Sequence, residues 1–154
     1  MRARSHRYLA ASGILVALTF AGCGGDDDDE ASGGDSSATS VSAVLADPDE
    51  GEYTISLDEE SAPAGEVTFE ITNEGEVEHE FEIVKTDVAA DALPVEGGKA
   101  DVEAEGGEEV DEVEDIASGA DTSLTVDLDP GKYLFVCNLP GHYEQGMVTA
   151  FTVE

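Results

Sequence analysis

Positive charge is what this sequence lacks most: six lysines and arginines stand against 37 aspartates and glutamates. Such a surface repels phosphate, which excludes nucleic acid and anionic lipid headgroups as binding partners. Cysteine is nearly absent, and the two present allow at most one disulfide. Histidine and methionine are almost as rare, at three and two. No internal repeat is visible, and no adjacent arginine pair supports the twin-arginine export route. Long apolar runs are confined to one place, residues 8–22.

That run, "YLAASGILVALTFAG", follows Arg2, Arg4 and Arg7 and is too short for a good membrane-spanning helix. A positive stretch, an apolar stretch and small residues at the end read as a secretory signal peptide over residues 1–22. Its last residues, "TFAGC", resemble the lipobox of prokaryotic lipoproteins, with Phe20 where Leu, Val or Ile is usual. The resemblance implies cleavage before Cys23, a lipid on that cysteine, and anchoring at the extracytoplasmic face of the membrane. Cys137 is then a lone thiol in an oxidising compartment, a liability unless a metal occupies it. Cleavage also leaves only Lys85, Lys99 and Lys132 against all 37 acids, a formal charge of −34. Such a charge fits steering of a basic partner, and equally adaptation to high salt or simple solubility.

Residues 23–40 hold no hydrophobic side chain larger than alanine beyond Cys23, and cannot bury enough surface to offset ordering entropy. A disordered acidic tether is expected there. Its "DDDDE" lacks the alternating ligand spacing and turn glycine of a calcium loop. From Val41 onward, short alternating segments follow: "VSAVLA", "EYTISL", "EVTFEIT", "HEFEIVK", "SLTVDL", "KYLFVC" and "MVTAFTVE". "APAG", "NEGE" and "DPGK" punctuate them as turns. The pattern predicts an all-β domain over residues 41–154, an antiparallel Greek-key β-sandwich. An acidic insertion at about residues 87–120 breaks the alternation. A short helix near "DVAADAL" and then an irregular, floppy loop are expected in it, without a part in any site.

The rare residues are not scattered. Cys137, His142 and Met147 fall within "CNLPGHYEQGM", on a loop stiffened by Pro140 and Gly141. A thiolate, an imidazole and a thioether suit copper better than magnesium or calcium. A trigonal site needs one more nitrogen, and the only other histidine after Cys23 is His79, directly after the turn "NEGEVE".

"NEGEVEHEF" and, some sixty residues on, "CNLPGHYEQGM" resemble the cupredoxins, the type 1 or blue copper proteins. The C-x4-H-x4-M spacing with Pro-Gly before the histidine is most similar to the rusticyanin and sulfocyanin-like branch, while plastocyanins have a shorter Cys-to-His interval. The resemblance covers about residues 50–154, without the insertion. It implies a cupredoxin-like fold and one copper ion, with His79, Cys137 and His142 as equatorial ligands and Met147 as the weak axial one. Many relatives carry Asn directly after the first histidine, bracing the ligand loop; this chain has Glu80. Tyr133, Phe135 and Phe81 are assigned to the core, and Tyr143 to an exposed rim where an electron partner would dock.

The function so implied is a lipid-anchored, monomeric electron carrier that is not an enzyme. Its partner would be a redox protein such as a basic cytochrome or a terminal oxidase component. The alternative is a module for copper storage, delivery or metal uptake. Tracts rich in Met or His, common in delivery proteins, are missing here. A copper oxidase or nitrite reductase needs further histidine-rich centres, which two histidines cannot build.

Overall fold

Alternating side chains produce short strands throughout. In chain order they are β1 (Thr39–Asp49), β2 (Glu52–Leu57), β3 (Ser61–Ala62), β4 (Gly65–Asn73), β5 (His79–Lys85) and β6 (Val95–Glu96). They continue with β7 (Lys99–Ala100), β8 (Glu108–Ile116), β9 (Asp121–Leu128), β10 (Gly131–Val136) and β11 (Val148–Val153). The computed structural model describes residues 39–49 and 52–154. The expected signal peptide, Cys23 and almost all of the linker lie outside the described residues.

Two sheets face each other, one ordered β2-β1-β4-β9 and the other β3-β11-β10-β5-β8, with β6 and β7 as a separate hairpin. The expected all-β sandwich forms, but its sheets are mixed: β1 runs parallel to β4, and β3 to β11. Alternation specifies which face of a strand is buried, not the direction of its neighbour. In β4, Val67, Phe69 and Ile71 are buried while Glu66 and Glu70 are exposed. At the centre the ring of Phe135 lies 4.9 Å from Phe69, 5.0 Å from Phe81 and 5.1 Å from Phe151. Burying each such ring contributes roughly 1.5–3 kcal/mol, so this cluster is what holds the sheets in a fixed relation. Tyr133 is buried beside it and donates its hydroxyl to the Asp129 carbonyl at 2.7 Å.

The acidic insertion departs from expectation. No helix forms near "DVAADAL", where a turn closes instead through Ala92 N–H to the Ala89 carbonyl at 3.0 Å. Far from being an irregular loop, its second half is β8, which pairs antiparallel with β5 and makes the edge of the five-stranded sheet. Two bulges interrupt that pairing. Each adds one residue to β8, so Val110, Val113 and Ile116, spaced by three, all turn toward the core. The acids between them are exposed, a charged edge that discourages pairing with another chain.

The first half of the insertion covers the outer face of the same sheet. Leu93, Ala100 and Val102 pack there on Val84, Leu134, Val136 and Tyr143. β5 is consequently buried on both faces, with Glu80 and Glu82 beneath the cover. Because β5, β10 and β11 are antiparallel neighbours, the start of β5, the end of β10 and the start of β11 share one end of the sheet. That end carries the rare residues.

Candidate metal centre

His79 opens β5 and is fully buried. The turn before it is organised by Asn73, also fully buried, which spends its whole amide on backbone. Its Nδ2 donates to the carbonyls of Val77 and Ile116, both at 2.8 Å, and its Oδ1 accepts Gly75 N–H at 2.9 Å. Losing this side chain would leave the buried Ile116 carbonyl and Gly75 N–H unpaired, each at about 1–3 kcal/mol. Cys137 follows the last residue of β10 and is fully buried. Its Sγ accepts the Glu80 N–H at 3.4 Å. Glu80 thus braces the cysteine through its backbone, while its side chain lies on the other face of β5 under the insertion.

The loop from Asn138 to Gly146 brings His142 back over Cys137. Gly141 and Gly146 take left-handed φ values of 88° and 99°, which a side chain would strain. Met147 is fully buried in the same core cluster as Cys137. Its backbone closes the loop, donating N–H to the His142 carbonyl and accepting Cys137 N–H, both at 3.1 Å.

Three donors converge. His142 Nδ1 lies 3.2 Å from Cys137 Sγ, His79 Nδ1 lies 3.9 Å from it, and the two Nδ1 atoms are 3.3 Å apart. Those separations suit donors around one first-row ion, whose bonds to nitrogen and sulfur run about 2.0–2.3 Å. Burial holds both histidines below their ordinary pKa, aided at His79 by His142 and opposed at both by Asp47. Neutral imidazoles are what a metal requires. Burial pushes the Cys137 thiol up to about 11, against the pull of the Glu80 and Leu139 N–H groups. A thiolate forms there only when a cation displaces the proton. Together with a buried thioether, this donor chemistry fits copper.

Sequence reading missed three groups that shape the site. Tyr53, from β2, stacks on the His142 ring at 4.3 Å and 23°, and meets His79 edge-on at 5.7 Å. Asn138 pairs with the backbone of Ala100, accepting its N–H at 2.7 Å and donating to its carbonyl at 3.1 Å. Tyr143, expected on an exposed rim, is buried beneath the insertion. Its hydroxyl accepts Leu93 N–H at 3.0 Å and donates to the Ala90 carbonyl at 2.8 Å. Gly141 N–H adds a bond to the Gly98 carbonyl at 2.7 Å. The insertion is therefore a clamp on the loop that carries His142. Only the rarity of Tyr and Asn beside ligands could have hinted at it, since the partners are 38 to 53 residues away.

The clamp has a measurable consequence. Asn138→Ala deletes both bonds to Ala100 and should lower metal affinity by about 10-fold, the low end for loss of a group that orients ligands. Competition titration against a chelator reads this. Unchanged affinity together with unchanged amide exchange of the loop would rule the clamp out.

Residues 50–150 match the family model for the Cupredoxin-like domain. No curated protein matches the chain by sequence. Among solved structures, rusticyanin from Thiobacillus ferrooxidans is similar, with a TM-score of 0.56 and 20% identity over 77% of this chain and 79% of that one. Auracyanin from the photosynthetic bacterium Roseiflexus castenholzii has a TM-score of 0.52 and 23% identity over 76% of this chain and 99% of that one. An azurin from Methylomonas sp. strain J has a TM-score of 0.51 and 17% identity, covering 75% and 98%. At these identities the likeness to solved structures establishes the fold. With the family match over residues 50–150, it places the protein: the chain belongs to the cupredoxin-like domain family.

Proposed function

We propose that the protein binds one type 1 copper ion through His79, Cys137, His142 and Met147 and carries single electrons between redox partners. The observation that carries this reading is the convergence of one buried thiol and two Nδ1 atoms, all within 4.8 Å. The similar rusticyanin is itself described as a copper protein. Bound copper would supply a one-electron couple between Cu(I) and Cu(II). The chain's own part is to keep the donors still. His79 is held by a strand buried on both faces, and the loop bearing His142 is clamped by the insertion. Of the four ligands only His142 reaches toward solvent, so electrons would enter and leave at its edge. A delivery protein needs a loop that lets metal go, which the clamp opposes.

The signal peptide and the lipid on Cys23 belong to the same proposal. They would fix the carrier to the extracytoplasmic face, with residues 23–40 as the tether. Its surface charge favours a basic redox protein as partner.

One set of preparations tests these points. Cu(II) added to metal-free protein should give an intense blue absorption that a mild reductant bleaches and an oxidant restores, with rapid electron self-exchange. Weak, colourless copper binding would sink the carrier reading. Mass spectrometry of the protein from cells should show a chain that begins at Cys23 and carries lipid there, and an unmodified N-terminus would remove the lipid anchor.

A further inference from the structure

His79 uses only one of its ring nitrogens in the arrangement above. Nδ1 faces Cys137 and His142, while Nε2 is buried without any hydrogen-bond partner, and no other buried side-chain nitrogen or oxygen among the described residues shares that condition. If Nδ1 is given to a metal, the neutral ring carries its proton on Nε2, and a buried donor left unmet loses its hydration with nothing in return. An acceptor should therefore stand nearby.

Gly75 shows where. Its φ is not in the left-handed range, so backbone freedom does not explain the glycine. Space does. A side-chain carbon on Gly75 would sit 2.0 Å from Asp47 Oδ1 and 2.9 Å from His79 Nε2. The carboxylate and the ring nitrogen border the same small space, which the missing side chain keeps open. Asp47 reaches it from the end of β1, where a bulge between Ala46 and Asp49 breaks the ladder with β2. The Glu76 N–H donates to its Oδ1 and holds the carboxylate over the turn.

We propose that Asp47 is a positioning residue for the metal centre, its carboxylate accepting the Nε2–H of His79 across the space left by Gly75. This rests on reading His79 as a ligand. A carboxylate on the far nitrogen fixes the ring's tautomer and orientation and makes the near nitrogen a stronger base. Greater basicity favours Cu(II) over Cu(I), so Asp47 lowers the reduction potential beyond the effect of its charge.

Two variants and one control separate these effects. Asp47→Ala removes charge and acceptor; Asp47→Asn removes the charge and keeps an acceptor oxygen. Glu76→Gln neutralises an exposed neighbour whose side chain is not invoked. Asp47→Ala should weaken Cu(II) binding by about 10-fold. With Cu(I) binding unchanged, that is a rise in potential of about 59 mV. Asp47→Asn should fall between Asp47→Ala and wild type, and Glu76→Gln should stay near wild type. In metal-free protein, nitrogen NMR should show the His79 proton on Nε2 and slow to exchange, and Asp47→Ala should lose that protection. Equal potentials in Asp47→Ala and Glu76→Gln would overturn the proposal, as would an Nε2–H indifferent to Asp47→Ala. If the protein bound no copper, the ligand reading would fail, and the metal-free spectrum would still decide whether Asp47 holds the ring.

Discussion

Cys137→Ser is expected to fold and to remain colourless when copper is added. The visible band of a blue centre arises from a thiolate bound to Cu(II), and a serine hydroxyl neither ionises near neutral pH nor satisfies a soft ion. Losing a group that merely orients a ligand costs about 10–100-fold in affinity, so losing this ligand should exceed about 100-fold. The folded state should survive, because the change removes little volume, although the buried hydroxyl costs about 1–3 kcal/mol if it finds no partner. Far-ultraviolet circular dichroism and a chelator competition read the two effects separately. Retention of the blue band in Cys137→Ser would refute the assignment of this ligand.

The same thiol fixes how binding depends on pH. With its pKa pushed up to about 11, Cys137 is protonated in the metal-free protein at neutral pH. Copper must displace that proton, so apparent affinity falls about tenfold for each unit of acidification below this value. One proton released per copper from Cys137 is the calorimetric sign, absent in Cys137→Ser.

Glu82→Gln should change how stability depends on pH. Glu82 is 4% exposed, buried on the outer face of β5 under the insertion. Burial above all, then the charges of Glu109, Glu80 and Glu112, push its pKa up to about 7, against a hydrogen bond from Asn138. In the unfolded chain the group returns to an ordinary value of 4.5. The folded state therefore holds the proton more tightly. Its stabilisation is fully present below about pH 4.5 and is lost as pH rises through about 7. A shift of this size corresponds to roughly 3 kcal/mol. Urea unfolding at pH 5 and pH 8 should show wild type losing more stability than Glu82→Gln by most of that amount, about 2.5 kcal/mol, since pH 5 lies just above the unfolded value. Parallel losses in the two proteins would mean that Glu82 is not held protonated.

The strands that flank the core were legible because each obeys a period of two: Val67, Phe69 and Ile71 in β4, and Tyr133 and Phe135 in β10. The four proposed ligands could be picked out because each residue type is rare and their order is specific. β8 was not, since "EEVDEVEDI" repeats every three residues and no regular strand does so. Two bulges, one with Asp115 at a φ of 55°, reconcile that repeat with a sheet. A bulge depends on the partner strand and leaves no mark in its own sequence. The clamp by Asn138 and Tyr143 and the approach of Asp47 to His79 were hidden for a related reason. They join segments far apart in the chain, and an acid or amide in such a contact looks like any other in a sequence with 37 acids.

The order β11-β10-β5 also has a consequence in time. His79 comes early in the chain, yet the partners that complete its site lie at the end of β10 and at the start of β11, the last strand. Nothing synthesised before Met147 can assemble the set, because β5 alone offers one imidazole. If these four hold one ion, all of them can meet it only after the final hairpin of β10 and β11 has closed against β5. Completion of such a centre is then a late event in folding, set by the last strand to be made.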